Sequence, residues 1–349
     1  MPRITVVMPV YNSQKYVGEA IESIIEQTFT DWELIIINDC STDEVEKVIL
    51  SYTDDRIRYV KNETNKGFLY GLNYGINHAT GEFIARLDDD DTCKPDRFKK
   101  QIDYLDQNPD VALVGTLNDE IIEGKHQNYK SVAISGAAAK FTELFTNACF
   151  AHSSFMMRRQ FLIEHGIKYD TFKQTPDHHM ILDICRFGNI ATLDEVLVSY
   201  RIHPTQSTAV RSQKMKQTEE DRTRCLYIQD LPLDEHDKLY LKKGVCRDLQ
   251  TDDDYESFLK AVEAYASLVQ YDPAENVLGG LGLAIALCEN EFSFRVLRII
   301  RKSRFIDYKH CFGTTAYLKM IIKCLIRYRK NDYPPTFDYT ETVERVDLG

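Results

Sequence analysis

Residues 88–91 are four consecutive aspartates, standing directly behind a short apolar run, Phe83 to Leu87. The run reads as a buried strand. Carboxylates this close repel one another, and a divalent cation is the usual remedy. A hard cation held by one or two carboxylates keeps positions open for phosphate oxygens, which is how Mg²⁺ or Mn²⁺ grips a nucleotide diphosphate. At the end of a strand in an α/β sheet, such a cluster falls where ligands bind. A solvated acidic turn is the alternative, and the flanking segments weigh against it. Arg86 lies two residues before Asp88 and shares its strand face. It either contacts a nucleotide phosphate or neutralises the carboxylates.

The elements that must position this cluster alternate. Ile4 to Val10 is predicted as a strand that Pro9 brings to a stop before Tyr11-Asn12-Ser13. Between Lys15 and Glu26, apolar side chains at Val17, Ala20, Ile21, Ile24 and Ile25 mark one helix face. Trp32 to Ile37 is a second buried strand, followed by Asn38-Asp39-Cys40-Ser41-Thr42-Asp43, where Ser41 or Thr42 is expected to cap the next helix. Ile57 to Lys61 is a third strand, and Asn65-Lys66-Gly67 opens a helix through about His78. Strands alternating with helices imply a parallel sheet with right-handed crossovers. No G-x-G-x-x-G follows the first strand and no G-x-x-x-x-G-K-[ST] occurs, so dinucleotide-binding and P-loop readings are disfavoured.

Several of these segments, in order and at the expected separations, resemble the inverting, family 2 glycosyltransferases of the GT-A fold. They are Pro9-Val10-Tyr11-Asn12, Gln27-Thr28-Phe29, the run from Trp32 to Asp43, Asn65-Lys66-Gly67, and Gly81 to Asp91. Farther along, His152-Ser153-Ser154 to Arg158, Tyr169-Asp170 and Tyr200-Arg201-Ile202-His203 resemble the acceptor half of the same domain. The similarity covers about residues 1–210. Within the family it leans towards bacterial transferases that add hexose or N-acetylhexosamine to lipid-linked or lipooligosaccharide glycans.

The resemblance implies roles. Tyr11 and Asp39 hold the nucleotide base: an aromatic face stacks on a pyrimidine, and a carboxylate accepts from the N3–H that uracil has and cytosine lacks. Pro9 and Lys66, in the same motifs, join the nucleotide-sugar contacts. Asp88 and Asp90 fill the two Asp positions of the family's D-x-D motif, with Asp90 the first metal ligand and Asp88 nearer the ribose or a metal-bound water. Asp91 continues the motif, and Asp89 is expected in solvent or turned to a backbone N–H. The general base of the family sits in a Glu-Asp-x-Asp segment opening a helix, matched here by Pro176-Asp177-His178-His179. Asp177 keeps the base position, while Pro176 replaces the Glu and His179 the second Asp, so the usual acceptor contacts are altered. Proline suits the first turn of a helix, where Asp177 would also favour the dipole. His178 and His179 are candidate acceptor contacts, as is His152, which shapes that pocket. His203 resembles a histidine that folds over the diphosphate, either completing a Mn²⁺ site or donating to phosphate.

Composition bounds the rest. A net charge of −11 disfavours a duplex nucleic-acid partner. Nine scattered cysteines without a C-x-x-C pair suit buried thiols in a reducing cytosol. The first apolar run is strand-length, so no signal peptide is expected, and no stretch of about 18 apolar residues suggests a membrane span. From about residue 211 the pattern is helical: Asp252 to Val269, Pro273 to Cys288, Phe292 to Arg304 and Thr314 to Arg329. Residues 295–330 hold eleven Lys/Arg and one acid, Asp307. Lys319, Lys323 and Arg327 recur beside Leu318, Ile321, Ile322 and Leu325, a pattern that suits an anionic membrane surface. A helical hairpin packed with its basic face in water, or a homodimer contact, is the alternative.

The expectation is therefore an α/β, GT-A type nucleotide-binding fold with a mainly parallel central sheet over 1–210. A small helical C-terminal domain follows over 211–349, with basic amphipathic helices across 292–330. The expected activity is transfer from a UDP-sugar to a glycan or lipid-linked acceptor in cell-surface polysaccharide synthesis, with Mn²⁺ or Mg²⁺, in the cytoplasm at the inner face of the membrane. Two other readings are a sugar-phosphate nucleotidylyltransferase, which lacks its Gly-rich basic loop here, and a catalytically degenerate nucleotide-sugar-binding partner of another transferase.

Overall fold

The computed structural model describes residues 1–128, 133–145, 151–169, 175–206 and 213–272, together with residues 283, 303 and 306. The expected helices 273–288, 292–304 and 314–329, with Lys319, Lys323 and Arg327, lie outside the described residues except at positions 283 and 303, and Asp170 also lies outside them.

The strands β1 (Ile4–Val10), β2 (Trp32–Asn38), β3 (Ile57–Lys61) and β4 (Phe83–Arg86) pair in parallel in the order β3-β2-β1-β4. Pro9 does not end β1. It pairs in register with Ile37, and the strand runs on through Val10. The first two strands are buried at every position, the burial expected of parallel strands covered on both faces. Two helices follow them, α1 (Val17–Ile25) and α2 (Val45–Ile49). The buried face of α1 is Val17, Ala20, Ile21 and Ile24, the three-and-four spacing of one helix stripe.

Helix α3 (Phe68–His78) starts from Gly67, whose φ of 90° is a left-handed value that favours glycine. It lies close on β1. A Cβ at Gly75 would stand 2.2 Å from Val7 Cγ1, so only glycine permits this approach.

Beyond β4 the sheet becomes mixed. The short strand β5 (Thr92–Cys93) precedes α4 (Arg97–Gln107), and β6 (Val111–Ile122) forms a hairpin with β7 (Lys125–Asn128). A 3-10 turn (His152–Ser154) leads into β8 (Met156–Arg158) and α6 (Arg159–Glu164). Helix α7 (Pro176–Cys185) then precedes β9 (Asn189–Ile202). The order continues β4-β8-β6-β9-β5, with β8 antiparallel to both neighbours, β9 parallel to β6 and β5 antiparallel to β9. Local pattern alone suggested a parallel sheet throughout the first half and did not show these antiparallel insertions.

The chain forms two compact units. The first comprises residues 1–133, 149–180 and 187–211, and holds the whole sheet. The second comprises 134–148, 181–186 and 212–349. Its described helices are α5 (Gly136–Phe145), α8 (Gln213–Gln229), α9 (Glu235–Val245) and α10 (Asp252–Leu268). Phe141 stacks on Tyr271, and Phe145 meets Phe258 edge to face, giving this unit an aromatic core.

Candidate active site

Strand order switches between β1 and β4, since the chain runs from β1 through β2 to β3 on one side and returns to β4 on the other, so the crevice at the carboxyl ends of β1 and β4 is where ligands enter such sheets. Both loops that leave this point carry chemistry: Tyr11-Asn12-Ser13 after β1, and Asp88 to Asp91 after β4. They touch, since Asp89 accepts from the Tyr11 backbone N–H at 3.2 Å.

The acidic loop is braced from three directions. Arg86, 1 % exposed, pairs with Asp88 Oδ1. Ser153 in the 3-10 turn contacts both Asp88 Oδ2, at 2.8 Å, and Asp91 Oδ2, and it accepts from the Asp88 backbone N–H at 3.2 Å. Arg201 in β9 donates its backbone N–H to Asp91 Oδ1 at 2.8 Å and its Nε to the Asp90 carbonyl at 2.7 Å. His203 Nε2 lies 3.0 Å from Asp90 Oδ2, while Nδ1 meets Thr205 Oγ1 at 2.9 Å. Asp88, Asp90 and Asp91 thereby bring one carboxylate oxygen each within 4.8 Å of one another.

The electrostatics follow from this crowding. Burial opposes the charge on Asp88, but Arg86, His152 and Ser153 outweigh it and hold the carboxyl below its usual range. Burial and then the Asp90 charge push Asp89 up to about 7. Burial and the Asp88 charge raise Asp90, and burial with both neighbouring charges raises Asp91 well above an ordinary carboxylate. Three carboxylates that disfavour one another's charge suit a hard divalent cation. Asp89 faces the Tyr11 N–H, as the sequence suggested, and stands outside the converging three. Arg86 pairs with Asp88.

On the nucleotide side, Tyr11 is 51 % exposed. Asp39 is buried and organises the loop into α3: Oδ1 accepts from Asn62 Nδ2 at 2.7 Å and the Lys66 N–H at 2.9 Å, and Oδ2 accepts from the Gly67 N–H at 2.7 Å. Oδ2 keeps a lone pair for a base N–H. Lys66 extends its ammonium to Tyr70 Oη at 3.1 Å. Ser41 and Thr42 do not cap α2. Ser41 Oγ accepts from the Asn12 N–H at 3.1 Å and the Thr42 N–H donates to Asn12 Oδ1 at 2.8 Å, tying the loops after β1 and β2 together. The N-cap residue is Glu44, which makes no side-chain cap, and Asp43 before it accepts from the Val45 N–H at 3.2 Å. Asx geometry at Asp43 competes with hydroxyl capping, and local sequence does not choose between them.

On the acceptor side, Asp177 lies in the first turn of α7, half-buried. Tyr169 is buried, and its phenol meets His152 Nε2 at 2.7 Å. Burial drives the Tyr169 pKa up, Arg86 pulls it down, and the charges of Asp177 and Asp88 raise it further. One phenol therefore feels both the expected base and the acidic cluster. His178 and His179 are 0 % and 3 % exposed, so the acceptor contacts expected of them have little exposed surface behind them. Sequence reasoning did not single out Ser153, Tyr169 or Arg201 as site residues, although each stands in a segment that carries the resemblance.

This arrangement, a mixed α/β sheet with a carboxylate cluster at its switch point, has GT-A architecture. The sequence matches the model of Glycosyl transferase family 2 over residues 5–166. It is 30 % identical over 230 residues to an uncharacterized glycosyltransferase of Haemophilus influenzae, covering 62 % of this chain and 71 % of that protein. The chain belongs to glycosyl transferase family 2 and is a glycosyltransferase. In fold it is similar to S. aureus TarS 1-349 solved with UDP-GlcNAc, with a TM-score of 0.58, 17 % identity, and coverage of 86 % of this chain and 92 % of that one. It is also similar to the mannosyltransferase PcManGT of Pyrobaculum calidifontis solved with GDP-Man and Mn²⁺, with a TM-score of 0.50, 15 % identity, and coverage of 95 % and 88 %.

Proposed function

We propose that the chain is a metal-dependent, inverting transferase that moves a hexose or N-acetylhexosamine from a UDP-sugar onto a glycan or lipid-linked acceptor. The observation that carries this reading is the convergence of Asp88, Asp90 and Asp91 beside the Tyr11 and Asp39 loops. A diphosphate would be repelled by these carboxylates alone, and the cluster fits a cation that joins the two. Mn²⁺ or Mg²⁺ held by Asp88, Asp90 and Asp91, with His203 at the rim, would supply Lewis-acid stabilisation of the departing diphosphate. The TarS structures with UDP-GlcNAc and with UDP support a uridine donor here.

The chain's own residues do the rest. Tyr11 offers a half-exposed ring for the base, and Asp39 offers Oδ2 to the uracil N3–H. Ser153 and Arg201 fix the acidic loop so that its carboxylates do not reorganise during transfer. Asp177 removes the proton of the acceptor hydroxyl as it attacks the anomeric carbon in a single displacement, which inverts the configuration. A thermal-shift panel of nucleotide sugars with and without Mn²⁺ tests the donor and metal together, because selective binding stabilises by mass action. The reading expects stabilisation by one UDP-sugar that needs Mn²⁺. Equal stabilisation with EDTA present, or preference for a non-uridine nucleotide, would overturn it.

Attachment to the inner membrane face rests on the basic C-terminal pattern of residues 295–330, the cytoplasmic location on the scattered cysteines, and the cell-surface role on the family resemblance. No described helix is long and apolar enough to cross a membrane.

A further inference from the structure

We propose that Phe68, at the first position of α3, is the platform on which the pyranose ring of the donor packs, and so a specificity-determining residue. This rests on the UDP-sugar reading above and deepens it. Four observations place the ring. It is 37 % exposed, although the helix start beneath it is held by a buried contact: Gly67 donates its N–H to Asp39 at 2.7 Å. The Arg86 guanidinium lies over the ring at 5.1 Å from its centroid, and the same guanidinium pairs with Asp88 of the acidic cluster. His152 meets the ring edge to face at 6.1 Å, and His152 in turn contacts Tyr169, which feels the Asp177 charge. Phe68 therefore stands between Arg86, which pairs with the carboxylates that would face the diphosphate, and the His152 turn on the acceptor side. A donor sugar occupies that interval by chemistry, since its anomeric carbon joins diphosphate and acceptor.

The ring is suited to the task. A cation on one face satisfies part of the negative quadrupole and holds the ring still. The remaining exposed surface is apolar and offers itself to the C–H face of a sugar, whose hydroxyls point around its rim. Arg86 is 1 % exposed and its Nε and Nη1 have no hydrogen-bond partner among the described residues. Its charge thus reaches the ring and Asp88 rather than solvent. A sugar packed on Phe68 would also shield this guanidinium further from water, strengthening the Arg86–Asp88 pair.

The test compares affinities of UDP and of a panel of UDP-hexoses and UDP-N-acetylhexosamines for wild type, Phe68→Ala and Phe68→Tyr, by competition calorimetry with Mn²⁺ present. The expected result is that Phe68→Ala lowers the ratio of UDP-sugar affinity to UDP affinity by about threefold to tenfold, the size of one aromatic contact. UDP affinity itself stays near wild type, and Phe68→Tyr restores the ratio. An unchanged ratio in Phe68→Ala, or equal loss of UDP and UDP-sugar, would overturn the platform while leaving the donor reading standing. Failure of wild type to bind any UDP-sugar would instead overturn the donor reading, and the platform with it.

Discussion

At the scale of single residues, the acidic loop separates carboxylates that converge from one that does not. Asp88, Asp90 and Asp91 point together, and Asp89 is engaged by the Tyr11 N–H. Asp90→Ala should abolish transfer and remove the Mn²⁺ dependence of UDP binding with little change in fold. Full activity of Asp90→Ala, or of wild type in EDTA, would sink the metal assignment. Ser153 touches no ligand in this reading but orients two of the three carboxylates. Ser153→Ala is expected to weaken Mn²⁺ binding by about 10- to 100-fold, as loss of a group behind the ligands does elsewhere. Titration of Mn²⁺ against UDP-induced stabilisation reads this directly. Asp177→Asn should lower turnover by about 10²- to 10⁴-fold while UDP-sugar affinity holds, the usual contribution of a general base. A carboxylate base stays ionised well below pH 6, whereas an imidazole at His178 or His179 would lose activity near its ordinary pKa of about 6.5. An acid limb near pH 6.5 that disappears in a histidine variant would move the base to that residue.

At the scale of elements, α10 carries a full capping box at its start, among the described residues. Thr251 Oγ1 accepts from the Asp254 N–H at 3.1 Å, and Asp254 Oδ2 accepts from the Thr251 N–H at 2.8 Å, a reciprocal capping box. Lys243 of α9 also pairs with Asp254. Burial works against the Asp254 charge, but Lys243 and the backbone donors of Thr251 and Gln250 hold its pKa well below normal. Its folded pKa lies below its unfolded one, so its contribution is present above the ordinary Asp pKa of about 3.9 and is lost as pH falls through the folded value. Asp254→Ala should destabilise the helical unit by about 1–2 kcal/mol at neutral pH, with the difference from wild type shrinking as the pH is taken below about 3. Chemical denaturation at two pH values measures it. A difference that grows in acid would contradict the linkage.

At the scale of the whole molecule, the sheet-bearing unit is acidic at its centre, while the basic excess sits in residues 295–330. If that segment binds membrane, the protein should float with anionic vesicles and be released by high salt, because exposed attraction is screened. Reversing Lys319, Lys323 and Arg327 to Glu should weaken flotation while leaving turnover on a soluble acceptor untouched. Equal partitioning into neutral and anionic vesicles would count against the membrane reading and favour a protein contact.

Local sequence patterns set the elements of the donor half and the identity of the carboxylates. Strand-length apolar runs such as Trp32 to Ile37, the helix stripe of Val17 to Ile24, and the aspartates behind Phe83–Leu87 are local signals, set by periodicity and adjacency within one segment. The sequence also carried the family, because those signals recur in a fixed order. What braces the cluster depends on long-range packing. Ser153 and Arg201 reach Asp91 from positions 62 and 110 residues away, and no local pattern marks a hydroxyl or a backbone N–H as aimed at a distant carboxylate. The antiparallel insertion of β8 between β4 and β6 brings Ser153 there, and the parallel pairing of β6 with β9 delivers Arg201 and His203. The burial of His178 and His179 belongs to the same class, since which face of a short helix turns inward depends on what packs against it.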